Sequence, residues 1–540
     1  MAENKAQQNA SPQPVQRRRI TYLVKTPEET ITRELPFVLG LLAPLSGDSH
    51  SGAPLLQDRK FITVNQDNFD AVQARISPQL SLDVPDLLGT GDARLRVDLH
   101  FSTISDFEPG AIVRMVPALR DLQGRTALAG RERTPASDTA FGSLLDGILR
   151  QTEAQSPGYQ AHRAAGFSSD PDRLLTSQLD QILRAPELLR LKATWCGLRY
   201  LVDRAADKPD VRVLALDVSK KELLQDFQKS AAFDETWIFK KVHDDVFGVL
   251  GCWPFGVLIG DYEIGNHPED LDLLGHAAET AAAIGAPFVA AAGPQMFGVE
   301  RLDRLPAGGD LQRLFEGPAY ARWRSFRAAA ASRYAALALP RVLFLPPDPA
   351  ADPGARAWGN AACVFAARLI ESHCARGDFI GISGVDRAGT ADLPGIEVFL
   401  AEDQVRQLSD FGFLPLHHLA AANWTGFIDA RPCHKPARFT SQAATADARL
   451  ASDLRCVLSV SRFVQYVRVQ MIENSYSGRP AREYVPEINQ WLTSYAENGM
   501  LREARLELRP GARPQVVLHL APDLGDDELN SPIRLVMDVP

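Results

Sequence analysis

Four short apolar runs, Leu35 to Leu42, Val211 to Val218, Phe255 to Gly260 and Pro287 to Ala291, constrain what this chain of 540 residues folds into. Each has the length of a strand rather than a core helix, and the first is closed by the turn signal Ser46-Gly47-Asp48. Between the runs the period becomes helical. Ser219-Lys220-Lys221-Glu222 has capping-box spacing ahead of Leu223, Leu224 and Phe227, and an Ala-rich helical pattern runs from Leu271 to Ile284. Strands alternating with helices predict an α/β fold, with parallel or mixed sheets covered by helices. Trp358 to Cys374 is expected to be another covering helix.

The same reasoning divides the chain. Residues 1–18 form a polar tail rich in Gln, Asn, Ala and Pro, which buries too little apolar surface to offset its ordering entropy. Arg19-Ile20-Thr21-Tyr22-Leu23-Val24-Lys25, flanked by charge and followed by Pro27, suits an exposed or borrowed strand. Phe61 to Val64 adds a strand, Asp67 caps a helix carrying Phe69, Val72 and Ile76, and Leu95 to Phe101 alternates strictly; residues 19–124 are therefore a compact α/β region. From 125 to 175 the composition shifts to Gly, Ala, Ser, Thr, Arg and Gln, with short helical pieces at Leu144 to Leu149 and Leu174 to Leu183. This linker precedes a second region, 176–540. That region contains one long amphipathic helix with Leu450, Leu454, Val457, Leu458, Ser461, Val464, Val467 and Met471 on one face and residues such as Arg462 between them. Strands around Leu506 and Leu508, Val516 to Leu520 and Ile533 to Val539 follow, so both chain ends are strands.

Composition limits function before any motif does. Hydrophobic residues make up 45% and charged residues 23%, and 58 Lys and Arg against 67 Asp and Glu give a net charge of −9, leaving no positive field to attract nucleic acid or anionic lipid. The longest uncharged apolar stretch, Val246 to Gly260, falls short of the roughly 20 residues a membrane span needs, and the polar N-terminus lacks the apolar core of a secretory signal. Cys196, Cys252, Cys363, Cys374, Cys433 and Cys456 lie far apart and read as reduced thiols. A cytoplasmic protein, with no membrane insertion and no nucleic-acid partner, is expected.

Signatures for phosphate loops, dinucleotide folds, zinc proteases and nucleophile elbows are absent. Asp261-Tyr262-Glu263, directly after the run ending at Gly260, is the most site-like feature, because α/β enzymes place metal ligands or acid/base groups at the ends of parallel strands. A metal-dependent enzyme using Asp261 and Glu263 is the rival reading; capping of a turn or pairing with Arg is the favoured one. His417-His418 and Cys433-His434 match no zinc-finger spacing, and neighbouring side chains on a strand point to opposite faces, so these are surface or satisfied core groups. Arg17-Arg18-Arg19 reads as a solubilising flank, and Trp323, Trp358 and Trp491 as core or interface anchors. No catalytic, metal or cofactor-binding residue is assigned, and no cofactor.

The remaining motifs occur in the order of a known family. Glu34-Leu35-Pro36-Phe37-Val38-Leu39-Gly40, Leu45-Ser46-Gly47, Leu56-Gln57-Asp58-Arg59-Lys60-Phe61, Asn68-Phe69, Asp106-Phe107-Glu108-Pro109 and Val116-Pro117-Ala118-Leu119-Arg120 resemble the small subunit of the type VI secretion contractile sheath. The later chain resembles the large subunit of the same sheath. Its motifs centre on Trp195 and Gly197, then Asp261, Tyr262 and Glu263, then Trp323, then Trp358, Gly359 and Asn360, followed by Leu408 to Leu416 and Leu501 to Arg505. In the family the two subunits are separate chains; here they follow one another, and the region between them is short.

The resemblance implies a phage-tail-sheath-like fold and a non-enzymatic subunit that polymerises with copies of itself into a helical tube. An Hcp-like inner-tube protein and a baseplate are the implied partners. In the family an AAA+ unfoldase grips a helix at the start of the large subunit, and no segment here matches that helix. Terminal strands that complete a neighbour's sheet are also implied, the candidates being Ile20, Tyr22 and Val24 at one end and Val516, Val517, Leu518, Leu520, Ile533, Leu535 and Val536 at the other. A sheath-like scaffold that does not contract is a further alternative.

Overall fold

The computed structural model describes residues 17–25, 29–47, 54–88, 94–132, 171–249, 251, 253–306, 309–346, 354, 356–385, 393–511, 513–525, 527 and 529–540. The polar tail up to residue 16, the helical piece at Leu144 to Leu149 and most of the linker 125–175 lie outside the described residues.

Strands β1 (Thr21–Lys25) and β2 (Thr30–Glu34) form an antiparallel hairpin, and β3 (Phe37–Ala43) follows with every residue buried. The partners of β3 come from far along the chain: β7 (Val211–Asp217) and β8 (Phe255–Ile264) flank it, both parallel to it. Outside β7 lies the antiparallel edge β4 (Ile62–Val64). Beyond β8 the sheet continues in parallel through β9 (Phe288–Ala292), β10 (Ala335–Leu339) and β13 (Leu414–Leu419), and ends in antiparallel β14 (Trp424–Phe427). The order is β14-β13-β10-β9-β8-β3-β7-β4. Two small two-stranded sheets, β5 (Gln79–Pro85) with β6 (Arg94–His100) and β11 (Val342–Leu343) with β12 (Gly395–Ile396), stand apart from it.

The pleat sends alternate β3 side chains to opposite faces. Phe37, Leu39 and Leu41 enter a core with helices α1 (Pro186–Ala205) and α4 (Ala361–Arg376), while Val38 and Leu42 enter another with α2 (Lys220–Lys229) and α3 (Pro268–Ile284). The result is three layers, helices on both faces of a mixed sheet. Burying Phe37, Val38, Leu39, Leu41 and Leu42 contributes about 1.5–3 kcal/mol each, roughly 10 kcal/mol together, which is comparable to the net stability of a whole domain.

More contacts join the early and late regions. The Trp195 indole, fully buried on α1, donates to the Leu45 carbonyl at 3.1 Å and meets the Phe69 ring edge-on at 5.8 Å. Arg59 donates to Glu222 at 2.7 Å and to the Asp217 carbonyl at 2.7 Å, and Lys241 donates to the Gln57 carbonyl at 3.0 Å. Glu222 also completes the expected capping box with Ser219, so one carboxylate caps α2 and pairs across the seam.

A third core lies beside the sheet. Helices α5 (Leu454–Tyr476) and α6 (Ala481–Glu497) and the antiparallel sheet β15 (Leu501–Arg509), β16 (Gln515–Pro522) and β17 (Ile533–Asp538) enclose it, together with Ile20, Tyr22 and Leu35. The single long helix expected from Leu450 to Met471 is in fact two, Gln442–Leu450 and α5, because the Asp453 side chain accepts from the Arg455 amide and starts a new helix. Arg462, expected on a polar face, is buried and donates to the Leu35 and Pro36 carbonyls. Two further expectations shift: β8 runs through Asp261, Tyr262 and Glu263, and the covering helix starts at Ala361, leaving Trp358 in the extended segment before it.

Because β3 is a central strand of a sheet otherwise built mainly from the late region, residues 171–540 expressed alone are expected to be insoluble or to melt without cooperativity. Co-expression with residues 1–132 is expected to restore a soluble, cooperatively melting complex, measured by copurification and circular dichroism. Glu222 supplies a pH test. Burial raises its carboxyl pKa, but bonds from Arg59 and Ser219 outweigh this and hold it at about 2. A carboxyl held low stabilises the fold above its ordinary pKa, and that stabilisation fades as pH falls through about 2. Glu222→Gln should cost about 1–2 kcal/mol in urea melts at neutral pH, the partial exposure of the site limiting the figure, and the difference should shrink steadily as the pH falls below 4.5.

Candidate assembly strands and the carboxylates of β8

The N-terminal strand is anchored at its root. Arg17 pairs with Asp210 at 2.6 Å and Glu34 at 3.1 Å, Arg18 with Asp523 at 3.1 Å, and the Arg18 amide donates to the Arg376 carbonyl at 2.7 Å. Gly377, just past α4 with φ of +74°, leaves the space: a Cβ there would lie 1.6 Å from the Arg18 carbonyl oxygen. Arg17 and Arg18 are therefore clamps rather than a solubilising flank, while Arg19 is exposed as expected.

Beyond the root, β1 presses one face onto α5 and α6. Ile20 and Tyr22 are buried and Val24 half-buried. The Thr21 amide donates to the Tyr495 hydroxyl at 2.8 Å, its carbonyl accepts from the Trp491 indole at 2.6 Å, and Tyr22 reaches Glu473 at 3.1 Å. Leu23, on the opposite face, is 64% exposed. Among the described residues β1 pairs with no strand other than β2, so its other edge carries no strand, although Trp491 and Tyr495 bond its main chain at Thr21.

At the C-terminus, β16 is central in its sheet. Val516, Val517, Leu518 and Leu520 are buried and their strand has β15 on one side and β17 on the other, so these four residues belong to the interior of the sheet rather than to a free edge. Ile533 and Leu535 of β17 are half-buried and Val536 is 48% exposed. The outer edge of β17 has no strand beside it among the described residues. Trp491 is the anchor that the sequence reading named, while the roles of Arg17, Arg18, Gly377 and Tyr495 rest mainly on partners far along the chain, and the run of arginines was read as a solubilising flank.

The motif residues of the late region fall into two structural groups. At the end of β8, Asp261 accepts from the Thr194 hydroxyl of α1, and Asn360 caps α4 through the Ala362 amide at 2.8 Å while donating to the Gly260 carbonyl at 3.0 Å. Burial pushes the Asp261 carboxyl pKa up, and its bonds to Thr194 and Asn360 oppose this. Tyr262 is buried and donates to the Val218 carbonyl at 2.8 Å, while Glu263 faces Arg341 at 3.5 Å, which also binds Glu397. In the other group, Gly197 and Gly359 make room for one ring: a Cβ on either would lie 3.2 or 2.4 Å from Phe344. Trp323 is buried and stacks on Phe413 at 5.3 Å, and Trp358 is half-buried.

Other candidate chemistry does not assemble. Burial pushes the Cys433 thiol up to about 12, and His434 contacts Ser332 at 3.0 Å rather than that thiol. His417 is buried and His418 meets Thr425 at 2.9 Å. Among the described residues no group of three or more His, Cys, Asp or Glu is placed to hold a metal, and no helix is long and apolar enough to cross a membrane.

The chain matches known families and relatives. The VipB family model, described as EvpB/VC_A0108, tail sheath N-terminal domain, matches residues 169–434, and the model described as type VI secretion system, VipA, VC_A0107 or Hcp2 matches residues 10–157. The chain is 30% identical over 396 residues to the type VI secretion system sheath protein TssC1 of Pseudomonas aeruginosa, covering 67% of this chain and 79% of that protein. It is 35% identical over 130 residues to sheath protein TssB1 of the same organism, covering 23% of this chain and 75% of that protein. A chain in the anti-feeding prophage baseplate is similar over 64% of this chain and 75% of its own length at 12% identity, with a TM-score of 0.35, a likeness in outline only. The chain belongs to the type VI secretion sheath family, with its small-subunit and large-subunit parts joined in one polypeptide, and is a structural subunit of a contractile sheath.

Proposed function

We propose that copies of this chain polymerise in the cytoplasm around an inner tube of an Hcp-like protein, seated on a baseplate, and that contraction propels that tube across membranes into a target cell. The observation that carries this reading is the pair of strands, β1 and β17, around one core, each with an edge that no strand covers among the described residues. An edge that accepts or donates a strand to another copy makes a heterologous contact, and such contacts build helical filaments when they do not close. Ile20, Tyr22 and Val24, with Ile533, Leu535 and Val536, are the residues assigned to these linkages. Regions 19–124 and 176–540 act as the small and large subunits.

The subunit is read as non-enzymatic, supported by the structural partners of Asp261 and Glu263. The full chain is expected to form tubes visible by electron microscopy, and a variant lacking residues 1–25 to stay folded without polymerising. Tubes from the truncated variant would refute the strand assignment; no tubes from the full chain under any assembly condition would sink the sheath reading. Asp261→Asn combined with Glu263→Gln is expected to lower the melting temperature by roughly 2–4 °C and leave tubes intact. A stoichiometric metal found in the wild type and lost from this variant would favour the enzyme instead.

A further inference from the structure

Beneath the amino ends of β10 and β13, loops at 410–412 and 429–438 face the helix Gln442–Leu450 across a cleft of about 1050 Å³. Most of its carboxylates already have cations. Arg431 holds Asp410 and Asp429, and Arg455 holds Asp453 at 2.9 Å and Asp527 at 3.1 Å. Other cations in the cleft have none. Arg327 is 6% exposed, yet its bonds, at 2.8 Å each, go to the Cys433 and Asp410 carbonyls, and no carboxylate pairs with it among the described residues. Burial pulls its guanidinium down to about 10, the mark of a charge with poor compensation. Lys435, Arg438 and Arg449 on the rim are exposed, and their side chains have no partner among the described residues.

A buried cation without a counter-charge is costly, and a carboxylate entering the cleft would form charge-assisted hydrogen bonds with groups now facing neutral partners or water. This acidic chain, with 67 carboxylate side chains against 58 cations, offers such groups in excess. One exposed pair stands out. Asp234 and Glu235 sit beside the 42%-exposed Trp237 without an ion-pair partner among the described residues. Their turn follows α2, and the Trp237 and Ile238 amides just after it donate to Asp226 of that helix at 3.0 Å each, which fixes the two carboxylates on the surface beside α2. No hydrogen bond or ion pair joins this turn to the cleft among the described residues, so it takes a second molecule to bring them together.

We propose that this cleft binds carboxylates of a neighbouring copy of the chain, with Asp234 and Glu235 as the counterpart, a lateral contact that rests on the polymer reading. Complementary charge of this kind sets register and speeds association.

The test is a charge swap. Lys435→Glu with Arg438→Glu, and separately Asp234→Lys with Glu235→Lys, should each cut tube yield at low salt by about tenfold with unchanged melting, and the chain carrying all four changes should recover. Wild-type yields from either variant, or no recovery in the combination, would overturn the contact. A binding assay on the unassembled full chain separates this from the polymer reading. A fluorescent hexaglutamate peptide should bind the wild type and be lost with Lys435→Glu and Arg438→Glu; no binding overturns the carboxylate site whether or not tubes form. Displacement of the peptide by equimolar inorganic phosphate would likewise overturn the assignment to side-chain carboxylates.

Discussion

The position of β3 between β7 and β8 governs the rest of the molecule. A central strand in a parallel sheet has both edges bonded and both faces covered, so its removal exposes two cores at once and leaves β7 and β8 each with one unpaired edge. Neither region of this chain is complete alone. Joining them in one polypeptide turns their association into an intramolecular event, with an effective concentration set by the connection between them rather than by expression level. The partners are then delivered in equal number, which a lattice of identical repeats requires.

From β3 the constraint passes to the N-terminal strand through two residues. Pro36 has no amide proton, so the step from β2 to β3 cannot continue a ladder, and the Leu35 and Pro36 carbonyls need other donors. Arg462 of α5 supplies them, and the Tyr466 hydroxyl accepts from the Leu35 amide at 2.8 Å while donating to the Ile20 carbonyl. A fully buried guanidinium is tolerated here because it meets backbone groups that would otherwise be unpaired, and the Tyr466 ring lies 5.1 Å from it. One turn of α5 thus holds both the start of β1 and the entry to β3.

What the sequence revealed follows from which signals are local. The apolar runs at β3, β7, β8 and β9 and the box at Ser219 and Glu222 were legible because burial on both faces and capping leave marks within a few residues. Strand β2, Thr-Ile-Thr-Arg-Glu, carries almost no apolar pattern, and β10, Ala-Ala-Leu-Ala-Leu, reads equally well as helix; both exist because of their neighbours in space. The break before α5 hinged on a single capping aspartate. The roles of Gly197, Gly359 and Gly377 were invisible for a stronger reason: each is defined by an atom elsewhere in the chain, Phe344 or Arg18, whose approach no periodicity records. The resemblance located Gly197 and Gly359 without explaining them and did not mark Gly377.

A contractile lattice asks its subunits to move past one another without unfolding, so rigid and deformable parts have to be separated. The rigidity here lies in the three-layer body, where β3, α1 and α4 leave few ways to rearrange. The terminal strands differ: among the described residues β1 has one hairpin partner and no strand on its other edge, and β17 alternates half-buried with exposed residues along its length. Their main-chain bonds can be remade with any strand of suitable geometry, whereas the Arg17, Arg18 and Gly377 anchors fit one site only. A strand anchored at its root and open along its edge stays tied to its own body while its free edge is available to another. In the proposed strand linkage, that division would let the linkage persist while the bodies it joins change their relative angle, with the work of contraction in the packing between bodies rather than in the strands that connect them.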